Sequence, residues 1–223
     1  MANPQIRTEG LLRETFATTK PLYAPLLTLN FPNVKLSAIN SLDNLGSAGV
    51  VFNIIYLFVA IPFLWGARIF YTYRSLTRNQ VTVGEAFNQA NRRLLHLILV
   101  SIMYSVLVWA GGIALIIPGL YVAYRLIFSL YVTVIDNSSA LDSLSSSWEL
   151  TKGRWWLVFI APFLILFVVF VPISLIVLLI SSTGNLLASK LVGNVLVFLA
   201  GPLMDVYFVL FYLRLRESAA TIK

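Results

Sequence analysis

From Trp155 to Ile180 the chain runs through Trp, Phe, Leu, Ile and Val without one charged side chain. A helix rises about 1.5 Å per residue and the hydrocarbon core of a bilayer is about 30 Å thick, so such a run is long enough to cross. No other feature restricts the fold as much. In lipid every backbone N–H and C=O must be satisfied within the protein, which makes a lone apolar segment helical. Gly49 to Phe70 reads the same way, with Asn53 and Pro62 inside it, aromatic residues Trp65, Phe70, Tyr71 and Tyr73 towards its end, and Arg74 and Arg78 beyond. Leu94 to Ile117 is interrupted by Gly111-Gly112 and closed by Pro118-Gly119, a tight turn from which Leu120 to Ile135 returns. Leu191 to Leu213 holds Gly201-Pro202 near its middle. Pro21 to Leu45 is the sixth and poorest segment, because Pro25, Asn30, Pro32, Asn33, Lys35 and Asn40 interrupt it. It is either a degenerate span packed inside the bundle or a re-entrant stretch.

Composition settles the class. The chain is 59% hydrophobic and 11% charged, more apolar than a soluble domain can bury. A net charge of +7 could suit nucleic acid, but the basic residues sit at the edges of apolar runs, so positive-inside bias accounts for them and no nucleic-acid partner is expected. With six spans, all of the 16 Lys and Arg except Lys35, Lys190 and Arg125 fall at or near one side. That asymmetry predicts cytoplasmic N- and C-termini in a bacterial-type inner membrane. The first residues hold no uninterrupted apolar core, so insertion is expected through internal spans.

Between the spans lie amphipathic stretches with helix-start chemistry. Ser139 with Asp142 three residues on makes a capping-box pattern, and Gly153 is placed to end that helix. Leu141, Leu144, Trp148 and Thr151 form its apolar stripe, with serines and Glu149 facing the other way, so the helix is expected to lie flat on the membrane. Thr82 and Glu85 repeat the pattern ahead of Ala86, Phe87 and Ala90, and Thr8 to Lys20 echoes it more weakly through Leu11, Leu12, Thr15 and Phe16. The expectation is a single integral membrane domain, 1–223, of three units (8–70, 82–136 and 139–214), each a short cytoplasmic surface helix followed by a membrane hairpin. Trp148, Trp155 and Trp156 are expected to be interfacial anchors, and Arg92, Arg93, Lys152 and Arg154 to meet anionic lipid head groups.

One stretch also carries a family likeness. Ile117-Pro118-Gly119, then Arg125, Asp136, Ala140 and Leu141, then the run Ser147-Trp148-Glu149-Leu150-Thr151-Lys152-Gly153-Arg154-Trp155-Trp156, resembles the membrane domain found in some bacterial glycerophosphoryl diester phosphodiesterases. Stand-alone relatives of that domain also exist. The resemblance implies a multi-pass membrane fold. It does not carry the hydrolase activity over, because that chemistry uses paired histidines and metal-binding carboxylates.

The residues themselves point to no reaction. His96 is the one imidazole and there is no cysteine, so neither a His-rich metal cage nor a thiolate nucleophile is available. The serines from Ser138 to Ser147 have no GxSxG context, and caps and close packing suffice for them. Arg68, Arg125 and Asp205 are the ionisable groups expected inside spans, where such groups pair or line a polar path. Counted from the cytoplasmic ends they sit about 9, 16 and 13 Å deep respectively, so all three can meet. The reading is an all-α polytopic helix bundle of about six transmembrane helices, with no cofactor and no catalytic activity of its own. It acts as a structural, assembly or regulatory partner, with membrane lipids and a membrane protein as its companions. The alternative is a small transporter or lipid-handling protein that uses the Arg/Asp site beneath helices broken at Gly111 and Pro202.

Overall fold

The computed structural model describes residues 8–40, 46–77 and 81–220, and it is all helical among them. Arg78 and residues 41–45, used above, lie outside the described residues. The helices are α1 (Thr8–Asn40), α2 (Gly46–Ile55), a π-helical turn (Tyr56–Ala60), α3 (Ile61–Leu76), α4 (Val83–Arg92) and α5 (Leu94–Ala114). They continue with α6 (Ile116–Arg125), α7 (Ser129–Ile135), α8 (Ala140–Leu150), α9 (Trp155–Ser181) and α10 (Leu186–Ala220). Five stretches are long and apolar enough to cross a membrane: Gly49–Leu76, Leu94–Ile113, Ile116–Ile135, Trp155–Ser181 and Leu186–Ala220. The protein is a multi-pass membrane protein.

The separation expected between a surface helix at Thr8 to Lys20 and the segment from Pro21 is corrected. Thr8–Lys20 and the segment after Pro21 are one continuous helix, α1, despite Pro21, Pro25 and Pro32 inside it, and it is not among the five stretches. Each proline removes a backbone donor, so contacts rather than intrinsic propensity must hold this helix. Leu26, Leu29 and Asn30 are buried, Glu14 meets Arg214, and Tyr23 Oη donates to the Leu199 carbonyl at 2.7 Å, all placing α1 against α10. Asn30, one of the polar residues that lower its hydropathy, faces protein.

The hairpin between α5 and α6 also turns elsewhere than expected. Leu115 alone, in extended conformation, joins them; Pro118 lies in the first turn of α6, where a missing N–H costs nothing. Helix α5 passes through Gly111-Gly112 without interruption. These glycines serve contact: a Cβ on Gly119 would stand 2.6 Å from the Gly112 nitrogen, so the two backbones touch here and no larger residue fits. Nor does Gly201-Pro202 break α10. The interruptions lie instead at the π-helical turn and at 126–128, between α6 and α7.

Helix α9 shows how a lipid-facing helix docks. Val158, Ala161, Ile165 and Val169 recur every three or four residues and are buried, while Ile160, Phe163 and Phe167 are exposed. The stripe meets α10, whose Tyr207 Oη donates to the Ala161 carbonyl at 2.6 Å. Phe128, Tyr207, Phe211, Tyr212 and Leu215 are the centre of the core, with Phe128 edge-on to Phe211 at 5.5 Å.

The capping box expected at Thr82 is formed in full, and of the one expected at Ser139 the N-cap half is formed. At α4, Thr82 accepts from the Glu85 backbone and Glu85 accepts from the Thr82 N–H; at α8, Ser139 accepts from the Asp142 backbone. Gly153 adopts φ 72°, the left-handed geometry that ends a helix. The face of α8 is a correction. Ser143, Leu144, Ser147 and Thr151 are buried and Leu141 is exposed, so two serines point inward with the stripe. Nor does α8 stand apart on a surface. Thr133 Oγ1 donates to Ser143 Oγ, Ser147 Oγ accepts from the Phe128 N–H, and Thr151 Oγ1 donates to the Arg125 carbonyl. As the numbers rise on α8 they fall on the partner helix, so α8 folds back antiparallel along α7.

Candidate functional site: two buried arginines

The predicted trio of Arg68, Arg125 and Asp205 separates into a pair and a single residue. Arg68 on α3 meets Asp205 on α10, with Nη1 3.2 Å from Oδ1 and 3.3 Å from Oδ2. The same nitrogen lies 3.4 Å from Asn30 Oδ1 on α1. One nitrogen thus serves two oxygens of the acid and one amide, tying three helices at one point. Asn30 was legible only as a flaw in a span. Its true role follows from its neighbours, Arg68 and Gly201, where a side chain would press on the Asn30 amide. Two buried polar atoms here have no partner among the described residues, Arg68 Nε and Thr72 Oγ1 one turn along α3.

Arg125 does not join them. It ends α6, is 3% exposed, and lays its guanidinium over Trp148 at 4.4 Å and Tyr121 at 5.8 Å from the ring centroids. Its backbone is as important as its side chain. The chain breaks at 126–128, which leaves the carbonyls before it without helical donors. Ser147 Oγ and Thr151 Oγ1 donate to the Arg125 carbonyl at 3.0 and 3.1 Å, while Ser147 Oγ also accepts from the Phe128 N–H at 3.2 Å. Two hydroxyls of α8 therefore cap both ends of the break. Of the serines singled out in the sequence, Ser143 and Ser147 are buried in these contacts, while Ser139, Ser145 and Ser146 are exposed.

The predicted anchors differ among themselves. Trp148 covers Arg125, Trp155 is half-buried 6.4 Å from Tyr121 and stacks on Phe159, and Trp156 is largely exposed. Arg154 does not point freely outward: its guanidinium donates to the carbonyls of Leu215 and Ser218, at 3.0 Å each, near the C-terminal end of α10. Lys152 is exposed beside Glu149 at 3.6 Å. Arg92 is exposed and, with Phe70, Arg74, Glu85 and Gln89, lines a groove of about 450 Å³ between α3 and α4; Arg93 is half-buried at the junction of α4 and α5. At the same end of the bundle Arg216 and Tyr212 both meet Asp136, at 2.9 and 2.7 Å.

The family model described as the membrane domain of glycerophosphoryl diester phosphodiesterase matches residues 96–219, more than half of the chain. The chain belongs to this family. No curated protein and no solved structure matches it. The matched stretch contains the whole Arg125 arrangement, with Tyr121, Ser147, Trp148, Thr151 and Trp155. It also contains Asp205 but not its partner Arg68, nor Asn30, which Arg68 bonds in turn; both come from the part of the chain before the matched domain. The ion pair is therefore one of the contacts that join the family domain to helices α1 and α3, beside Glu14 with Arg214 and Tyr23 with the Leu199 carbonyl.

Proposed function

We propose that this chain is a structural, assembly or regulatory partner within the bilayer, without catalytic activity of its own. In this reading it sits in a bacterial-type inner membrane with both termini cytoplasmic, α1 being a sixth crossing packed inside the bundle, and it touches anionic lipids and a membrane-protein partner at that face. The observation that carries it is the Arg68–Asp205–Asn30 contact, because intramembrane charge that a carrier would keep for its cargo is here spent on holding three helices together. The groove flanked by Arg74 and Arg92 supplies a basic surface for anionic head groups or a partner's acidic segment. The units 82–136 and 139–214 share a capped amphipathic helix leading into apolar helices, which supports reading them as two copies of one hairpin plan.

Co-purification of the full chain in mild detergent, with an inventory of bound proteins and lipids, tests the reading. A stoichiometric protein partner is the expected result; a tightly held small molecule that is lost in Asp205→Asn overturns it. Sidedness is tested in this cysteine-free chain by single cysteines at the exposed positions Ser145 and Ser182, which should label from opposite sides of the membrane. Labelling of both from one side removes the assigned topology. A cysteine at Thr18 that labels with Ser182 rather than Ser145 assigns α1 no crossing. A second reading, a small transporter or lipid-handling protein, is favoured by one observation: Arg68 Nε and Thr72 Oγ1 are buried polar atoms without partners beside the acid.

A further inference from the structure

We propose that Arg125 and Trp155 form a site for a phosphate oxyanion, carried by a phospholipid head group or free in solution, at the aromatic corner where α6, α8 and α9 meet. Arg125 is almost wholly buried, yet no side chain or carbonyl among the described residues accepts a hydrogen bond from its guanidinium, and its Nε is a buried donor with no partner. Trp155 Nε1 is a second such donor. Both residues pack on the same ring, Tyr121. The corner thus offers two unspent N–H groups.

Acids that could answer them are engaged elsewhere. Glu14 pairs with Arg214, Asp136 with Arg216, Glu149 with Lys152 and Asp205 with Arg68, while Glu85 and Asp142 close helix caps. Trp148 and Tyr121 offer the positive charge the faces of their rings. A ring face is not the oxygen acceptor that a guanidinium N–H calls for, so the N–H groups still need one. A tetrahedral phosphate offers several acceptor oxygens and matches the arginine fork, which a single carbonyl does not. Indole and phenol rings favour the head-group zone of a bilayer, and Lys152 and Arg154 follow within a few residues, so a phospholipid phosphodiester is the nearest source of that chemistry. The site goes beyond the general lipid contact proposed above, because it names one buried arginine and one indole N–H as the recognition elements.

The test uses the full chain in mild detergent, with native mass spectrometry in the presence of equal amounts of phosphatidylglycerol and a diacylglycerol of the same acyl chains. A second arm compares thermal unfolding in inorganic phosphate and in chloride at equal ionic strength. Preferential retention of phosphatidylglycerol is expected, falling about threefold in Trp155→Phe, which keeps a six-membered aromatic ring and loses the pyrrole ring with its N–H donor, and about tenfold or more in Arg125→Gln. Trp156→Phe should retain the lipid as the natural chain does. A phosphate-dependent rise in Tm that both variants lose, without lipid preference, keeps the site and assigns it to the free ion. Equal behaviour of the natural chain, Trp155→Phe and Arg125→Gln in both arms overturns the site. Should Arg125→Gln fail to fold, Trp155→Phe decides alone. Loss of the site alongside a protein partner still recovered by co-purification leaves the scaffold reading standing.

Discussion

Arg68 and Arg125 look alike in the sequence, each a lone arginine in an apolar run, and the structure treats them in opposite ways. Arg68 meets a carboxylate and an amide from two other helices, and its positive charge belongs to the fold. Arg125 meets aromatic faces and no acid among the described residues, and it is the carbonyl of the residue that takes the hydrogen bonds of the fold. Removing one member of a buried ion pair strands the other, whereas removing a cation that has no counter-ion strands nothing. The comparison separates a charge kept for stability from a charge that stability does not require.

The largest expected effect falls on the pair. Arg68→Met or Asp205→Asn should each lower unfolding stability in detergent by about 3 kcal/mol, while the double variant should lose clearly less than the sum. Additive losses in that cycle would mean that the pair is not coupled, and the contrast with Arg125 would collapse. Next comes Ser147→Ala, which removes a donor to the Arg125 carbonyl and an acceptor for the Phe128 N–H, at an expected cost of about 2 kcal/mol. Thr151→Val should cost less, about 1 kcal/mol, because Ser147 still serves the carbonyl. If the order of these two is reversed, the helix break is held by something other than the paired hydroxyls. Arg125→Met keeps that backbone cap and strands no acid, so its loss should stay near 1 kcal/mol or below, well under that of Arg68→Met. Equal losses for the two arginines would erase the distinction. The smallest effect belongs to Trp148→Phe, about 0.5 kcal/mol from a weaker cation–π contact over Arg125.

Much of the fold could be read without any structure. Five apolar runs long enough to cross, the capping box at Thr82, the N-cap at Ser139 and the stop at Gly153 all depend on residues close to one another in the chain, and all stand among the described residues. The errors share a cause. Thr8 to Lys20 reads as a surface helix apart from the segment after Pro21, but Leu11, Thr15 and Thr19 are buried as Leu26, Leu29 and Asn30 are, so packing on α10 and α3 carries one helix through the prolines. Gly111, Gly201 and Pro202 looked like breaks because glycine and proline weaken isolated helices, yet here Gly111 lets two backbones touch and Gly201 lets Asn30 approach. The inward serines of α8 look polar in a helical projection; only the broken carbonyl ladder at 126–128, a feature of another helix, makes them inward residues.

The sequence by itself determined the class of molecule, its apolar helices and their caps, because hydropathy and capping act over a turn or a span of contiguous residues. It narrowed the intramembrane charges to Arg68, Arg125 and Asp205 and could order them by depth. Depth is one coordinate, however, and pairing needs all three: the rotation of each helix about its axis and the angle at which it crosses its neighbours are set by packing among residues far apart in the chain. Tertiary structure alone therefore chose Arg68 over Arg125 as the partner of Asp205, brought in Asn30, and folded α8 back so that Trp148 covers an arginine with no acid to meet.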